Sequence, residues 1–173
     1  MIVLSSVYVV VMGVAGCGKS SLGHALAAAE GLPLIEGDDH HSPASREKMS
    51  DGIALTDADR EGWLATLGQL LQGHPEGAVL TCSALKKAYR DRLRAACPPL
   101  RFAFLDIDRA AAEERVASRA STHFFSTALV DSQFATLESP VGESGVLRLD
   151  ALRAIPALQA QVSAWLAQQG ATA

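Results

Sequence analysis

An α/β fold of three layers, with a central parallel five-stranded sheet flanked by helices, is the architecture this sequence predicts. Three observations carry it. Short apolar runs alternate with longer amphipathic stretches, which is the pattern of successive βαβ units. The runs themselves are mostly apolar without alternation, as strands covered on both faces must be. The chain has 173 residues, 49% apolar and 20% charged, enough for one core and too few for two. No repeat, low-complexity linker or boundary divides it, so residues 1–173 read as one domain.

The first strand is expected at 7–12, where VYVVVM runs into the stretch GVAGCGKSS, and the first helix at 19–30. A second strand at 32–36 leads into a polar stretch, and a helix follows at 57–72. That helix is well signalled, because Thr56 can cap it with Asp59 three residues on, and Trp63, Leu64, Leu67, Leu70 and Leu71 form an apolar stripe. A strand at 78–82, a helix at 86–96 stopped by Pro98 and Pro99, and a strand at 100–105 come next. Helices at 109–119 and 127–137, a strand at 146–149 and a helix at 155–168 complete the chain, with Pro156 suited to a first helical turn.

Composition excludes several classes. Fifteen basic against nineteen acidic residues give a net charge of −4, which is no footprint for nucleic acid or an acidic lipid surface. No apolar run approaches the roughly 20 residues needed to span a bilayer, and no cation precedes Lys19, so the apolar start reads as a strand and not a targeting segment. Cys17, Cys82 and Cys97 lack C-x-x-C spacing and read as reduced thiols of a cytoplasmic protein. Asparagine is absent, which removes any guanine-reading N-K-x-D element and counts against a GTPase.

Gly13, Val14, Ala15, Gly16, Cys17, Gly18, Lys19 and Ser20 fit G-x-x-x-x-G-K-[ST] in full, between an expected strand and an expected helix. Glycines let the backbone curl so that successive N–H groups face phosphate oxygens, and the helix start adds about half a positive charge. Lys19 is expected to reach the β- and γ-phosphates of ATP, Ser20 to ligate Mg²⁺, and Ser21 to lie near the α-phosphate. Cys17 is read as a small filler.

In a parallel α/β sheet, ligands sit at the carboxyl ends of the strands, where Glu36, Asp38 and Asp39 fall. A carboxylate there can take the proton of an attacking hydroxyl or hold a water on Mg²⁺; Asp38 is assigned the base role, with an acidic turn capping the next helix as the plain alternative. His40 and His41 are adjacent and are expected to face solvent in a loop. Arg60, a cation near a helix start, needs a partner, either Asp57 or a substrate carboxylate. Ser83 is a plausible helix cap. Of the bases in CSALKKAYRDRLR, Lys86 and Arg90 are the ones of interest. Arg115 and Arg119, one turn apart, suit a lid over the transferring phosphate at about 115–140, or else an ordinary helical hairpin.

The segments GVAGCGKS, EGDDHH, REKM, LTDADREGWL, CSALKKAYRDRLR and HFFSTALVDSQFATLESP together resemble the gluconate kinases (gluconokinases) of the P-loop kinase superfamily, in the family's order and over most of residues 7–140. The resemblance implies transfer of the γ-phosphoryl of ATP to D-gluconate, with Mg²⁺, by a homodimer with a mobile lid. It implies catalytic roles for Lys19, Asp38 and Arg119, and contacts to the sugar acid from Asp38, His41, Arg60, Ser83, Lys86, His123 and Gln133. Ser42, Ser45, Ala54, Gly62 and Thr122 depart from the family's pattern. A shikimate-kinase-like enzyme and a nucleotide-binding regulator without chemistry are the competing readings.

Overall fold

The computed structural model describes residues 5–119 and 127–171. Strands β1 (Val7–Met12), β2 (Leu34–Glu36), β3 (Gly77–Thr81), β4 (Arg101–Asp106) and β5 (Val146–Asp150) form one parallel sheet in the order β2-β3-β1-β4-β5. The central strand, β1, has no exposure from Val9 to Met12. Its unbroken apolar sequence follows from that double coverage.

Helices α1 (Lys19–Glu30), α2 (Pro43–Ser50), α3 (Asp57–Gln72), α4 (Lys87–Ala96), α5 (Arg109–Ser118), α6 (Thr127–Thr136) and α7 (Ile155–Ala171) surround the sheet. The link from β1 to β2 runs one way along the sheet, whereas those from β2 to β3 and from β3 to β4 run the other way. Right-handed crossovers therefore put α1 on one face and α3 and α4 on the opposite one. Accordingly α1 packs with α7, and α3 with α4. Leu22 and Leu26 fill the first layer, Leu67, Leu71 and Leu93 the second, all without exposure.

Strand and helix bounds lie within three residues of those expected, but the polar stretch after β2 is not a loop. Gly37–His40 forms one turn of 3-10 helix and α2 follows. Ser42, standing where the family usually has proline, accepts a hydrogen bond from the Ser45 N–H at 3.1 Å, and Pro43 takes the first helical turn. Cap and proline thus start a helix whose sequence carries almost no apolar stripe. The cap expected for α3 is present as a reciprocal box between Thr56 and Asp59.

Gly37 shows why the turn sits where it does. A Cβ there would lie 2.1 Å from the Thr81 carbonyl oxygen, so the chain leaving β2 hugs the end of β3 as only glycine allows.

The loop after β3 is held from within. Ser83 does not cap α4; the Glu138 carboxylate accepts from the Lys87 N–H at 2.9 Å instead. Arg90, one of the two bases of interest in this segment, is fully buried. It donates to the Ala84 carbonyl at 2.7 Å and the Glu138 carbonyl at 2.9 Å, and grips both oxygens of Glu143 at 3.1 and 2.6 Å. Ala84 sits at φ +48°, a strained conformation for a residue with a Cβ, and this clamp fixes it.

Two outcomes follow for stability. Gly62 lies on the exposed face of α3 with open space around the position of a Cβ. Gly62→Ala should therefore raise unfolding free energy by about 0.4–1 kcal/mol, read from urea midpoints. Arg90→Ala should lower it by about 1–3 kcal/mol, because the Ala84 and Glu138 carbonyls lose their donor and Glu143 is left with Arg94 alone. Burial pushes the Glu143 carboxyl up, but Arg90 and then Arg94 outweigh it and hold it below its ordinary value. A depressed carboxylate stabilises above its unfolded pKa and loses that contribution as pH falls through the folded one. Acid titration of the urea midpoint should thus be steeper in the parent than in Glu143→Gln.

Candidate active site

The phosphate loop leaves β1 with Gly13, Gly16 and Gly18 at φ +147°, +82° and +100°. A Cβ on Gly13 would meet Cys17 Sγ at 2.7 Å and the Leu105 carbonyl at 2.8 Å. Cys17 is accordingly buried packing, and burial pushes its thiol up. Helix α1 opens from Gly18 with no side-chain cap and no acid in its first turn. Its end is thus left to an external anion.

Most of the loop's carbonyls are engaged. Lys19 Nζ donates to the carbonyls of Gly13 and Val14 at 3.0 and 3.1 Å. Arg115 donates to those of Gly16 and Cys17 at 3.2 and 3.3 Å, and to Ala151 at 3.1 Å. The expectation that Arg115 and Arg119 act as a pair over phosphate therefore does not hold for Arg115, whose guanidinium braces the loop from behind. Gln133, from α6, accepts from the Ala15 N–H at 2.7 Å in a buried contact.

A first cleft, of about 620 Å³, is lined by the loop, Lys19, Ser20, Ser21, Glu36, Asp38, Thr81 and Arg119. Glu36 is its overlooked member. It accepts from Ser20 Oγ at 2.7 Å and from Thr81 Oγ1 at 2.6 Å, with His24 Nε2 at 3.2 Å. The signal was its place at the carboxyl end of β2 beside Asp38 and Asp39, of which only Asp38 is assigned a role from sequence. Among the described residues no trio of His, Cys, Asp or Glu is grouped for a metal. A hydroxyl and nearby carboxylates are nevertheless the hard oxygen donors that suit Mg²⁺, which keeps waters and phosphate oxygens as its other ligands.

Asp38 stands on the 3-10 turn, whose carbonyls at Asp38 and Asp39 are pinned by Arg46 at 3.3 and 3.0 Å. Burial raises its carboxyl, but the His41 hydrogen bond, Lys19 and Arg46 together hold it below the usual carboxylate range. His41 does not face solvent: its side chain is 4% exposed. Its ring stacks on Trp63 with centroids 4.2 Å apart, and Trp63 is fixed by its indole N–H to the Gly37 carbonyl at 2.8 Å. Adjacent histidines do diverge, and the inward one found an aromatic platform that had been read only as core.

A second cleft, of about 360 Å³, is lined by His41, Arg60, Ser83 and Gln133 together with Met49, Ala54, Leu55, Trp63, Leu129 and Ser132. Arg60 is buried and donates to the Tyr89 hydroxyl at 3.0 Å; that hydroxyl in turn donates to Asp57, which Lys86 also holds at 3.0 Å. Lys86 is not brought into the cleft. The turn at Ala84 sends it to an outer groove with Asp57, Glu61 and Arg92. Ser45 is buried but lines neither cleft, and His123 and Thr122 lie outside the described residues.

The two clefts meet at the pair of Asp38 in the first and His41 in the second, 3.5 Å apart. An anion held at α1 and a polar molecule beside Arg60 would thus share one carboxylate between them, which is a geometry for group transfer.

The sequence matches the family described as an AAA domain over residues 9–140. It is 44% identical over 147 residues to a gluconokinase of Gluconobacter oxydans, covering 82% of this chain and 81% of that one. It is 41% identical over 145 residues to the thermosensitive gluconokinase of Escherichia coli, covering 82% and 77%. Among solved structures, a gluconokinase from Sinorhizobium meliloti superposes with a TM-score of 0.88 at 42% identity, covering 98% of this chain and 95% of that one.

Glu36→Gln keeps groups for Ser20 and Thr81 but removes the charge. It should raise the Mg²⁺ concentration for half-maximal nucleotide turnover by about 10–100-fold, measured by titrating Mg²⁺ at fixed nucleotide.

Proposed function

The chain belongs to the gluconokinase family, and from that premise we propose that it transfers the γ-phosphoryl of ATP to the terminal hydroxyl of D-gluconate, giving 6-phosphogluconate. The observation that carries this reading is the meeting of a phosphate-binding cleft and an arginine-bearing polar cleft at one carboxylate, Asp38.

The N-terminal N–H groups of α1 and Lys19 hold the phosphates, and Ser20 and Glu36 form the side on which a cation is bound. Mg²⁺, when bound, supplies positive charge to the phosphate oxygens. Asp38 receives the hydroxyl proton as the new oxygen–phosphorus bond forms and the bond to the β-phosphate oxygen breaks. Held below its ordinary range, Asp38 stays ionised and orients the hydroxyl, taking its proton only as the new bond forms. Arg119, lining the first cleft, stabilises charge on the transferring group as segment 115–140 closes. Arg60 receives the gluconate carboxylate, with its guanidinium held by Tyr89. Ser83 and Gln133 bond the hydroxyls, and His123 joins them on the strength of the resemblance alone. Lys86 acts only through Asp57 and Tyr89. A cytoplasmic homodimer belongs to the same reading, supported by the resemblance and by three buried free thiols.

ADP release should be stimulated by D-gluconate and not by shikimate or nucleoside monophosphates; no stimulation by gluconate would overturn the reading. Lys19→Ala should abolish turnover while the unfolding midpoint stays near the parent's. Asp38→Asn should lower kcat by about 10²–10⁴-fold with little change in the KM for ATP. An equal effect on both constants would assign Asp38 to the metal or the fold instead.

A further inference from the structure

Among the described residues, His41 Nδ1 is the buried side-chain atom without a hydrogen-bond partner. Leaving such an atom unpaired costs free energy, so its persistence in a polar cleft points to a ligand. The plane of the ring is held. Trp63 covers one face, and the Gly37 carbonyl fixes Trp63.

The other ring nitrogen decides what Nδ1 can do. Nε2 lies 3.5 Å from Asp38 Oδ1, and an ionised carboxylate only accepts. Nε2 therefore carries the proton, and in a neutral imidazole that leaves Nδ1 bare, an acceptor. The remaining cleft is rich in donors: the Arg60 guanidinium, the Ser83 and Ser132 hydroxyls, and the Gln133 amide, whose oxygen is already spent on Ala15. A carboxylate satisfies donors. A hydroxyl that must give its hydrogen away finds few acceptors there beyond the two serine oxygens, and Nδ1 is the buried one that lacks a partner.

We propose that His41 reads one secondary hydroxyl of the sugar acid through Nδ1 while its Nε2–H orients the Asp38 carboxylate toward the hydroxyl being phosphorylated. This deepens the gluconate reading and rests on it. His41 is thus a substrate contact on one side and a positioning residue on the other. It supplies discrimination among aldonic acids that a carboxylate-binding arginine cannot, since every aldonate carries the same carboxylate.

Two substitutions separate the sides, because a glutamine amide reaches the Nε2 position and an asparagine amide the Nδ1 position. His41→Gln should raise the KM for gluconate at least about tenfold with a smaller change in kcat. It should also make the enzyme indifferent to one of the monodeoxygluconates that the parent discriminates against. His41→Asn should do the reverse, lowering kcat and shifting the acid limb of its pH profile while the KM stays closer to the parent's. Both variants changing kcat and KM alike, or His41→Gln keeping the parent's discrimination against every monodeoxygluconate, would overturn the proposal. The parent itself gives a test free of folding risk: long-range ¹H–¹⁵N spectra should show His41 protonated at Nε2 and bare at Nδ1, with the Nδ1 resonance moving when gluconate is added. A protonated Nδ1 overturns the proposal whatever the kinetics. Absence of gluconate-dependent ADP release in the parent overturns the functional reading and the hydroxyl contact with it, whereas the tautomer still judges the Asp38 contact.

Discussion

A loop that offers its N–H groups to an anion must turn its carbonyls away from it, and those carbonyls need partners of their own. Much of this molecule is arranged around that constraint. Arg115 reaches from α5 to Gly16 and Cys17, Lys19 folds back on Gly13 and Val14, and Gln133 comes from α6 to accept from the Ala15 N–H. With those bonds made, the curl of the loop is held by its surroundings and not by glycine freedom alone. Preorganisation of this kind lets a fixed array of dipoles stabilise phosphate charge with little rearrangement at the moment of transfer.

The second cleft depends on a comparable device at one remove. Ser83 lies on a loop that turns through a strained Ala84, and the loop is held by Arg90, buried and locked on Glu143. Arg60 rests on Tyr89, and Tyr89 on Asp57 and Lys86. Residues that never touch the cleft therefore set the direction of those that do.

The sequence made the sheet, its helices and the phosphate loop legible because each rests on local information: apolar runs, a cap with its reciprocal acid, a complete glycine motif. In the second cleft Arg60 was legible as a cation misplaced at a helix start, whereas the substrate roles of His41, Ser83 and Gln133 came only through resemblance. Long-range choices escaped. Nothing within CSALKKAYRDRLR distinguishes Arg90, which turns inward, from Lys86, which turns out; Glu143, more than fifty residues on, makes the difference. Glu36 was passed over because three acids crowd the end of β2, and only the positions of Ser20 and Thr81 show which one faces the helix start. Ser42 illustrates the converse, a departure from family pattern that costs α2 nothing, because a cap replaces a proline.

The bond between Gln133 and Ala15 has a thermodynamic meaning beyond bracing. One amide is fastened to the phosphate loop and lines the other cleft, so the two sites share a component through which occupancy of one can act on the other. Free energy is conserved around the cycle of two bindings. Whatever a sugar acid does to the strength of that contact is returned, with the same sign and size, in the affinity for nucleotide.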